Sequence, residues 1–269
     1  MSTQSIKNFV KEKYSQIARQ SGKPTQSSCC GPSSCCGDNL EINMIGDEYQ
    51  NLQGYQPDAD LGLGCGVPTE YAGLQTGQHV LDLGSGAGND CFVVRSIIGD
   101  TGEVTGLDFS EEMVMKARQN SQKLGLKNVR FLAGDIEEMP FEAHQFDVVI
   151  SNCVLNLVPE KTRAFAEIKR VLKSGGHFCV SDVVIKGDLP ENLREDAEMY
   201  TNCIAGALQM EEYLEIIRQT GFNNIKVHKQ KRIELPEKTL KKYVPENERK
   251  DFTNEHKGIF SITVSASRH

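Results

Sequence analysis

Two groups of residues in this 269-residue chain have types and spacing suited to chemistry: a glycine-rich turn and a set of nine cysteines. The turn runs from Asp82 to Asp90 with the sequence DLGSGAGND, after apolar strand residues and before a helical pattern. Glycines allow a tight turn and let a ligand touch the backbone beside amide groups at a helix N-terminus. The turn is a candidate ligand site, although a glycine turn without a ligand is the simpler interpretation of this feature alone.

Two aspartates follow the turn, at the ends of the next two predicted strands. Asp108 lies 24 residues past Gly84, where a carboxylate can accept hydrogen bonds from both hydroxyls of a ribose. Asp135 ends the third strand, where it can accept a hydrogen bond from an adenine amino group. A dinucleotide-binding turn carries a further glycine where this chain has Asn89, so the motif departs from that fingerprint.

Three cysteines lie in segments that can present a thiol to a ligand. Cys65 is in the glycine-flanked loop GLGCGVP, Cys153 lies just past the fourth predicted strand, and Cys203 follows the fifth. Parallel sheets bind ligands at the carboxyl ends of their strands, and soft thiolates suit soft acceptors. A buried cysteine that only packs is the simpler interpretation of each one alone. We keep that assignment for Cys91 and Cys179.

The elements that position these residues follow from the hydrophobic pattern. From about residue 78, short β-rich runs alternate with helical patterns, which predicts a mostly parallel sheet with helices on both faces. Ser110 is placed to cap the second of these helices. An amphipathic pattern predicts a helix over residues 3–19, and a composition rich in Ser, Gly and Pro predicts a loop over 21–40. Residues 191–219 are expected to be helical, before two closing strands joined by a lysine-rich segment.

Four motifs, in this order, resemble those of class I S-adenosylmethionine methyltransferases over roughly residues 70–185. They are DLGSGAGND, LDFS, GDIEEMPF and FDVVISNCVLNL. The resemblance implies a Rossmann-like α/β fold with a seven-stranded sheet, and S-adenosylmethionine as the cofactor. It assigns Gly84, Gly86 and Gly88 to the methionine moiety with Asn152 nearby, Asp108 to the ribose, and Asp135 with Ile136 to the adenine; Asp82, Ser85 and Phe109 complete the predicted cofactor-binding set.

The segments LGLGCGVP, ISNCVLNL and TNCIAGAL resemble the arsenite methyltransferase family, with a match over most of residues 1–230. This resemblance implies that Cys65, Cys153 and Cys203 bind As(III) as catalytic thiolates, and that the activity serves arsenic detoxification. On this basis the chain divides into three parts. These are an N-terminal helix and cysteine-rich loop segment over 1–69, a cofactor-binding core over 70–185, and substrate-site helices with closing strands over 186–269.

The same family has a cysteine ahead of the GLGCG loop. This chain offers four candidates there, and which of them is equivalent stays open: Cys29, Cys30, Cys35 and Cys36. A disulfide between enzyme cysteines, reduced again by thioredoxin or glutathione, is one way to supply the electrons that further turnover needs. We expect Cys65 to pair with a cysteine of this run, and we take Cys35 and Cys36 as candidate redox or auxiliary thiols.

The composition narrows the choice of partners. The formal net charge is −7, and basic residues cluster only in short stretches such as Lys229 to Arg232, which argues against a nucleic-acid substrate. No apolar run is long enough to cross a bilayer, and the N-terminal segment lacks the features of a signal peptide. We therefore expect a cytoplasmic enzyme that acts on a small molecule, such as arsenite or its thiol conjugates, without a membrane partner.

Two other functions remain open. GDIEEMPF is also similar to C-methyltransferases of quinone or sterol-like acceptors, although those enzymes have no use for three placed thiols. A metalloid-binding sensor would use only the cysteines, and the intact set of Gly84, Gly86, Asp108 and Asp135 speaks against it. Arsenite-dependent consumption of the cofactor separates the first alternative, and binding of S-adenosylmethionine separates the second.

Overall fold

Four short strands with buried apolar residues form the centre of the fold: β1 (His79–Leu83), β2 (Glu103–Asp108), β3 (Val129–Ala133) and β4 (Phe146–Asn152). The structure is a computed structural model that describes residues 3–21, 49–188, 204, 206–235, 237–244, 246, 249 and 257–269. All four strands run parallel to their neighbours. Strands that are buried on both faces are typical of a parallel sheet covered by helices.

Three further strands complete a seven-stranded sheet of order β3-β2-β1-β4-β5-β7-β6. They are β5 (Leu172–Lys186), β6 (Asn223–Arg232) and β7 (Gly258–Ser267). β5 continues the parallel arrangement, whereas β7 lies antiparallel between β5 and β6. The strand order reverses between β1 and β4: β2 and β3 lie on one side of β1, and β4 and β5 lie on the other. Such a switch point opens a crevice at the carboxyl ends of the strands. The predicted Rossmann-like, mostly parallel sheet is confirmed.

Six helices are described, namely α1 (Thr3–Gln20), α2 (Asn89–Ile98), α3 (Glu111–Lys123), α4 (Lys161–Val171), α5 (Met210–Gln219) and α6 (Glu237–Tyr243). Leu81 of β1 shares a buried cluster with residues of α4 and α5, while Val80 shares another with residues of α2 and α3. Because side chains alternate along a strand, these clusters lie on opposite faces of the sheet. Within the described chain, no helix combines the length and the apolar character needed to cross a bilayer.

Local signals explain where the helices begin and end. Ser110 caps α3 as predicted, because its Oγ accepts a hydrogen bond from the backbone N–H of Met113 at 3.3 Å. α1 matches the predicted N-terminal helix to within one residue at its C-terminal end. The lysine-rich segment between β6 and β7 contains α6, which the sequence pattern did not predict.

Two predictions fall at least partly on residues that the structure does not describe. The loop expected over 21–40 lies outside the described chain except for Ser21. Of the helical segment expected over 191–219, residues 210–219 are α5, and residues 189–203 are not described.

Candidate functional site

A pocket lies at the carboxyl ends of β1, β2, β3 and β4, where the switch point opens the sheet. Nine of the residues that the sequence assigned to a site line it: Gly84, Ser85, Gly86, Asp108, Phe109, Asp135, Ile136, Asn152 and Cys153. The topology therefore brings together residues from four separate strand ends. Apolar side chains, among them Val10, Leu63 and Leu157, close the rest of the wall.

The glycine-rich turn after β1 lies close against its neighbours on one side and leaves space on the other. Gly84 has a φ of 69°, and a Cβ there would come within 2.3 Å of the Val154 side chain. Gly86 has a φ of 52°, and a Cβ there would meet nothing within 4 Å. Since Gly86 lines the pocket, its backbone is open to a ligand. The turn thus provides a ligand-accessible backbone beside the N-terminus of α2.

Asp108 is held at the end of β2 by backbone donors. Its Oδ2 accepts a hydrogen bond from the Gly86 N–H at 2.9 Å, and its Oδ1 accepts one from the Ser110 N–H at 2.8 Å. Burial raises the pKa of Asp108 to about 6, against these backbone hydrogen bonds, which lower it. The carboxylate is fixed in position and has lone pairs that can accept hydrogen bonds from a ligand.

Asp135 joins the pocket to the N-terminal helix. Its Oδ1 accepts a hydrogen bond from the Glu137 N–H at 2.9 Å, and its Oδ2 accepts one from Lys7 Nζ of α1 at 2.6 Å. Lys7 also pairs with the Glu137 carboxylate. α1 therefore covers the end of the pocket that the sequence assigned to adenine.

Asn152 connects the end of β4 to the loop that carries Cys65. Its Oδ1 accepts hydrogen bonds from the backbone N–H groups of Cys65 at 3.0 Å and Gly66 at 3.3 Å. Its Nδ2 donates to the Gly66 carbonyl at 2.8 Å and contacts the Tyr49 hydroxyl at 2.6 Å. A Cβ on Gly64 would come within 2.7 Å of this amide, so the loop needs glycine to approach so closely.

Cys65 and Cys153 lie in one buried cluster beside the pocket, each about 2% exposed and outside any disulfide among the described residues. Both cysteines interact with the Tyr213 phenol. Burial and Asp182 raise the pKa of Tyr213, and Cys65 and Cys153 contribute in the same direction. The Cys153 N–H donates to the Ser181 carbonyl at 2.8 Å. Cys153 also has a φ of 59°, an uncommon conformation for a residue with a side chain and one that clusters at functional sites.

The remaining predicted thiols lie outside the described chain. Cys203 is one of them, although the next residue, Ile204, belongs to the buried cluster that contains Cys65 and Cys153. Cys29, Cys30, Cys35 and Cys36 are likewise not described. Among the residues that are described, no group of three or more His, Cys, Asp or Glu side chains is arranged to hold a metal ion.

Asp82 and Gly88, which the sequence also assigned to the cofactor, belong to the turn but pack against the protein interior. Asp82 is about 2% exposed and its Oδ2 accepts a hydrogen bond from the Cys91 thiol at 3.2 Å. A Cβ on Gly88 would come within 2.9 Å of the Phe92 and Phe131 rings. The cofactor roles of both residues stay predictions.

The two other described cysteines are buried away from the pocket wall. Burial raises the pKa of Cys179 to about 12, and burial with the nearby Asp82 raises that of Cys91 well above its ordinary value. High pKa values disfavour the thiolate, which is the metal-binding and nucleophilic form. This agrees with the packing role that we assigned to both.

Several pocket residues were not among those predicted. Asp90, Tyr49 and Lys7 line the pocket beside the predicted set. Asp90 is part of the glycine-rich motif, so its place there was the available signal. Asp90 Oδ1 and Ser85 Oγ are buried and have no hydrogen-bond partner within the part of the chain that is described. Unsatisfied polar atoms at a pocket wall fit a polar ligand, as the amino-acid end of S-adenosylmethionine is.

Comparison with known proteins gives matches to methyltransferases. A family model described as a methyltransferase domain matches residues 74–221. An arsenite methyltransferase of Halobacterium salinarum is 38% identical over 232 residues, which cover 82% of this chain and 58% of that protein. A 2-phytyl-1,4-beta-naphthoquinone methyltransferase of Arabidopsis thaliana is 32% identical over 205 residues, which cover 68% of this chain and 78% of that protein.

The fold agrees with these matches. The crystal structure of CrArsM, an arsenic(III) S-adenosylmethionine methyltransferase from Chlamydomonas reinhardtii, is similar with a TM-score of 0.60 at 33% identity. The match covers 72% of this chain and 64% of that chain. The chain spans between 49% and 66% of the length of three arsenite methyltransferases that it matches.

Proposed function

Because this chain belongs to the arsenite methyltransferase family of S-adenosylmethionine-dependent methyltransferases, we propose that it methylates trivalent arsenic held by cysteine thiolates. The supporting observation is that Cys65 and Cys153, 88 residues apart in the chain, lie in one buried cluster at the edge of the cofactor pocket. Methylation of arsenite or methylarsenite would serve arsenic detoxification.

The residues of the pocket suit S-adenosylmethionine, which supplies a methyl group on a positively charged sulfur. Asp108 would accept hydrogen bonds from the ribose hydroxyls, and Asp135 one from the adenine amino group. The open backbone of Gly86 would lie against the methionine moiety. The carboxylates of Asp60, Asp90 and Asp108 also line this pocket, and this negative charge favours a cationic ligand.

Cys65, Cys153 and Cys203 would bind As(III) through three sulfur atoms. Arsenic so bound keeps a lone pair that points away from the sulfurs, and this lone pair is already a nucleophile. No general base is needed for the methyl transfer itself. The main task of the protein is to hold arsenic in line with the methyl group and to exclude water. Thiolates are the binding form, so arsenic binding should release protons.

The transfer forms an As–C bond, breaks the bond between the methyl carbon and sulfur, and leaves neutral S-adenosylhomocysteine. The arsenic loses two electrons formally. We propose that two cysteines return these electrons by forming a disulfide, with Cys65 as one partner and a cysteine of the 29–36 run as the other. Thioredoxin or glutathione would then reduce the disulfide. A variant without Cys29, Cys30, Cys35 and Cys36 that retains full multiple turnover would rule out this pairing.

The thiol site is tested with single serine substitutions. Cys65→Ser, Cys153→Ser and Cys203→Ser should each lower methylation of arsenite by more than about 100-fold, because loss of one ligand loses the near-attack geometry. Affinity for S-adenosylhomocysteine should stay unchanged. The assay incubates each protein with labelled S-adenosylmethionine, arsenite and glutathione, and identifies the arsenicals by chromatography. Cys179→Ser is the matched control, since this thiol is fully buried within β5.

A second candidate function has support from the naphthoquinone methyltransferase relative, which matches over most of its own length. In that case the acceptor would be the carbon of a reduced quinone, and the apolar wall of Val10, Leu63 and Leu157 would contact its ring. Cofactor consumption that depends on a naphthoquinol and not on arsenite would support this function. Retained activity in Cys153→Ser would support it further and would contradict arsenic methylation.

A further inference from the structure

The two carboxylate oxygens of Asp90 differ in their surroundings. Asp90 is the second residue of α2 and lines the cofactor pocket. Its Oδ2 accepts a hydrogen bond from Asn152 Nδ2 at 3.3 Å, and the Tyr49 hydroxyl also bonds to this carboxylate. Its Oδ1 is buried and has no hydrogen-bond partner in the described part of the chain. One oxygen of the carboxylate is therefore hydrogen-bonded within the described chain, and the other, at a residue that lines the pocket, is not.

A buried carboxylate oxygen without a partner is costly, so its retention needs an explanation. Burial raises the pKa of Asp90 to about 6, while hydrogen bonds from Tyr49 and Asn152 lower it. Its place in the first turn of α2 also favours the charged form, because the helix dipole is positive there. Near neutral pH the group is thus largely an anion, and no salt bridge pairs it with a cation among the described residues.

The position of Asp90 in the pocket indicates which part of the ligand lies next to it. Asp108 and Asp135, which follow β2 and β3, occupy the nucleoside side of the pocket. Asp90 lies on the opposite side with Asn152, at the end of β4. A ligand that spans the pocket from the adenine side places its amino-acid end near Asp90. That end carries an ammonium group, which donates hydrogen bonds and is positively charged.

The other carboxylates on this side are already satisfied. Asp60 lines the pocket, but its Oδ1 accepts from the Gly62 N–H at 3.0 Å and its Oδ2 accepts from the Tyr55 hydroxyl at 3.1 Å. Asp82 is buried beside Cys91 and accepts from its thiol. On this side of the pocket, Asp90 is the lining carboxylate with an oxygen that has no hydrogen-bond partner in the described chain.

We propose that Asp90 binds the ammonium group at the amino-acid end of the cofactor, with Tyr49 and Asn152 holding its carboxylate in place. This proposal rests on the proposed function only in taking S-adenosylmethionine as the cofactor. Asp90 thereby distinguishes ligands with an amino-acid end from adenosine thioethers that lack one. It is a binding residue for the cofactor and takes no part in arsenic binding.

The test compares two ligands by calorimetry: S-adenosylhomocysteine, and 5′-methylthioadenosine, which has the same nucleoside and thioether without the amino-acid end. Asp90→Asn should weaken S-adenosylhomocysteine binding by about 10- to 100-fold, as expected when a hydrogen bond to a charged group is lost. Binding of 5′-methylthioadenosine should stay within about twofold. Asp58→Asn is the control, at an exposed carboxylate that forms no part of the pocket wall, and should leave the ratio of the two affinities unchanged.

A second variant separates charge from folding. Asp90→Glu keeps the negative charge, so it should retain more of the preference for S-adenosylhomocysteine over 5′-methylthioadenosine than Asp90→Asn does. Equal weakening of both ligands in Asp90→Asn, with no change in their ratio, would overturn the proposal and assign Asp90 to the folding of the turn. Failure of the unmodified protein to bind S-adenosylhomocysteine would overturn the proposed function as well, and this titration is read independently of any variant.

Discussion

Asn152 uses both ends of its side chain within the protein. Its oxygen accepts hydrogen bonds from Cys65 and Gly66, and its amide nitrogen is bonded to Gly66, Tyr49 and Asp90. Cys153 is the next residue in the chain. One side chain therefore connects the pocket, through Asp90, to the loop that carries Cys65, and it precedes Cys153 in the chain. The sequence resemblance assigned Asn152 to the methionine end of the cofactor, and the contacts add a role in holding the Cys65 loop.

Asn152→Ala should release the Cys65 loop from the end of β4. Loss of two backbone hydrogen bonds, at about 1 kcal/mol each, should raise the population of loop-open molecules by about 30-fold. The rate of Cys65 alkylation by iodoacetamide, followed by peptide mass spectrometry, should rise accordingly.

The control is Asn120→Ala, which removes another buried amide that donates to a backbone carbonyl, that of Ala87. Its Cys65 alkylation rate should match that of the unmodified protein. Equal rates in Asn152→Ala and Asn120→Ala would show that Asn152 does not hold the loop.

The sequence indicated those site residues that depend on strand ends. Asp108 and Asp135 follow predicted strands, and parallel strands bring their ends to one edge. Tyr49 could not be predicted in this way, because its contact with Asn152 joins residues 103 positions apart. Its sequence neighbours show neither a motif nor a period that points to the pocket. The roles of the predicted residues in binding the cofactor and arsenic stay predictions.

At the scale of elements, α1 is attached to the core along its whole length. Lys7, in its N-terminal half, pairs with Asp135 and Glu137. Ser15, in its C-terminal half, has its Oγ 3.0 Å from Ser110 Oγ. Near the other end, Arg19 and Ser15 bind Glu112, and these bonds lower the pKa of Glu112 to about 2. The amphipathic pattern predicted this helix. It did not identify the pocket and α3 as its partners, because an apolar helix face does not indicate which part of the protein it packs against.

Lys7→Gln should speed the dissociation of S-adenosylhomocysteine. The substitution removes the ion pairs that hold the start of α1 against Asp135 and Glu137 at the pocket, so the helix should open more often. A loss of about 1 to 2 kcal/mol corresponds to a rate that is about 5- to 30-fold higher. Stopped-flow competition between S-adenosylhomocysteine and an excess of S-adenosylmethionine measures the rate.

Lys123→Gln serves as the control, since Lys123, at the end of α3, makes an exposed ion pair with Asp58, and the two side chains are 68% and 78% exposed. Exposed pairs contribute little, so its dissociation rate should be that of the unmodified protein. An unchanged dissociation rate in Lys7→Gln would mean that α1 stays closed without the Lys7 ion pairs.

At the scale of the whole molecule, several buried carboxyl groups have raised pKa values. Burial raises the pKa of Asp182 to about 7, although hydrogen bonds from the Val183 N–H and the Tyr213 hydroxyl lower it. Asp90 and Asp108 are raised in the same direction. A group whose pKa is higher in the folded chain than in the unfolded chain stabilises the fold fully at low pH. This stabilisation is lost as the pH rises through the folded value.

The free energy of unfolding of the ligand-free protein should therefore fall between pH 5 and pH 8. Asp182 alone should account for about 1 to 3 kcal/mol of this fall. Asp182→Asn keeps the size of the side chain and removes the charge, so its stability should depend less on pH. Urea unfolding followed by circular dichroism at both pH values measures the difference.

Asp58→Asn, at a side chain that is 78% exposed, should keep the full pH dependence of the unmodified protein. Parallel behaviour of Asp182→Asn and the unmodified protein across this range would contradict a titration of Asp182 near neutral pH.

The architecture itself was predictable because every level of the sequence agrees on it. The alternation of strands and helices, the Ser110 cap and the glycine turn all indicate a parallel sheet wrapped by helices, and the sheet has the predicted seven strands. α6 was missed because a short lysine-rich segment shows no clear apolar period. The resemblance to arsenite methyltransferases is confirmed by relatives of 30–38% identity.

The backbone of Cys153, with its φ of 59°, has a consequence for how the protein can change. Glycine adopts this conformation without strain, whereas other residues lose about 1 to 3 kcal/mol there. A library selected only for survival at high temperature should therefore enrich Cys153→Gly and discard the thiol. Selection for thermal stability and selection for the proposed arsenic methylation would then favour different residues at position 153.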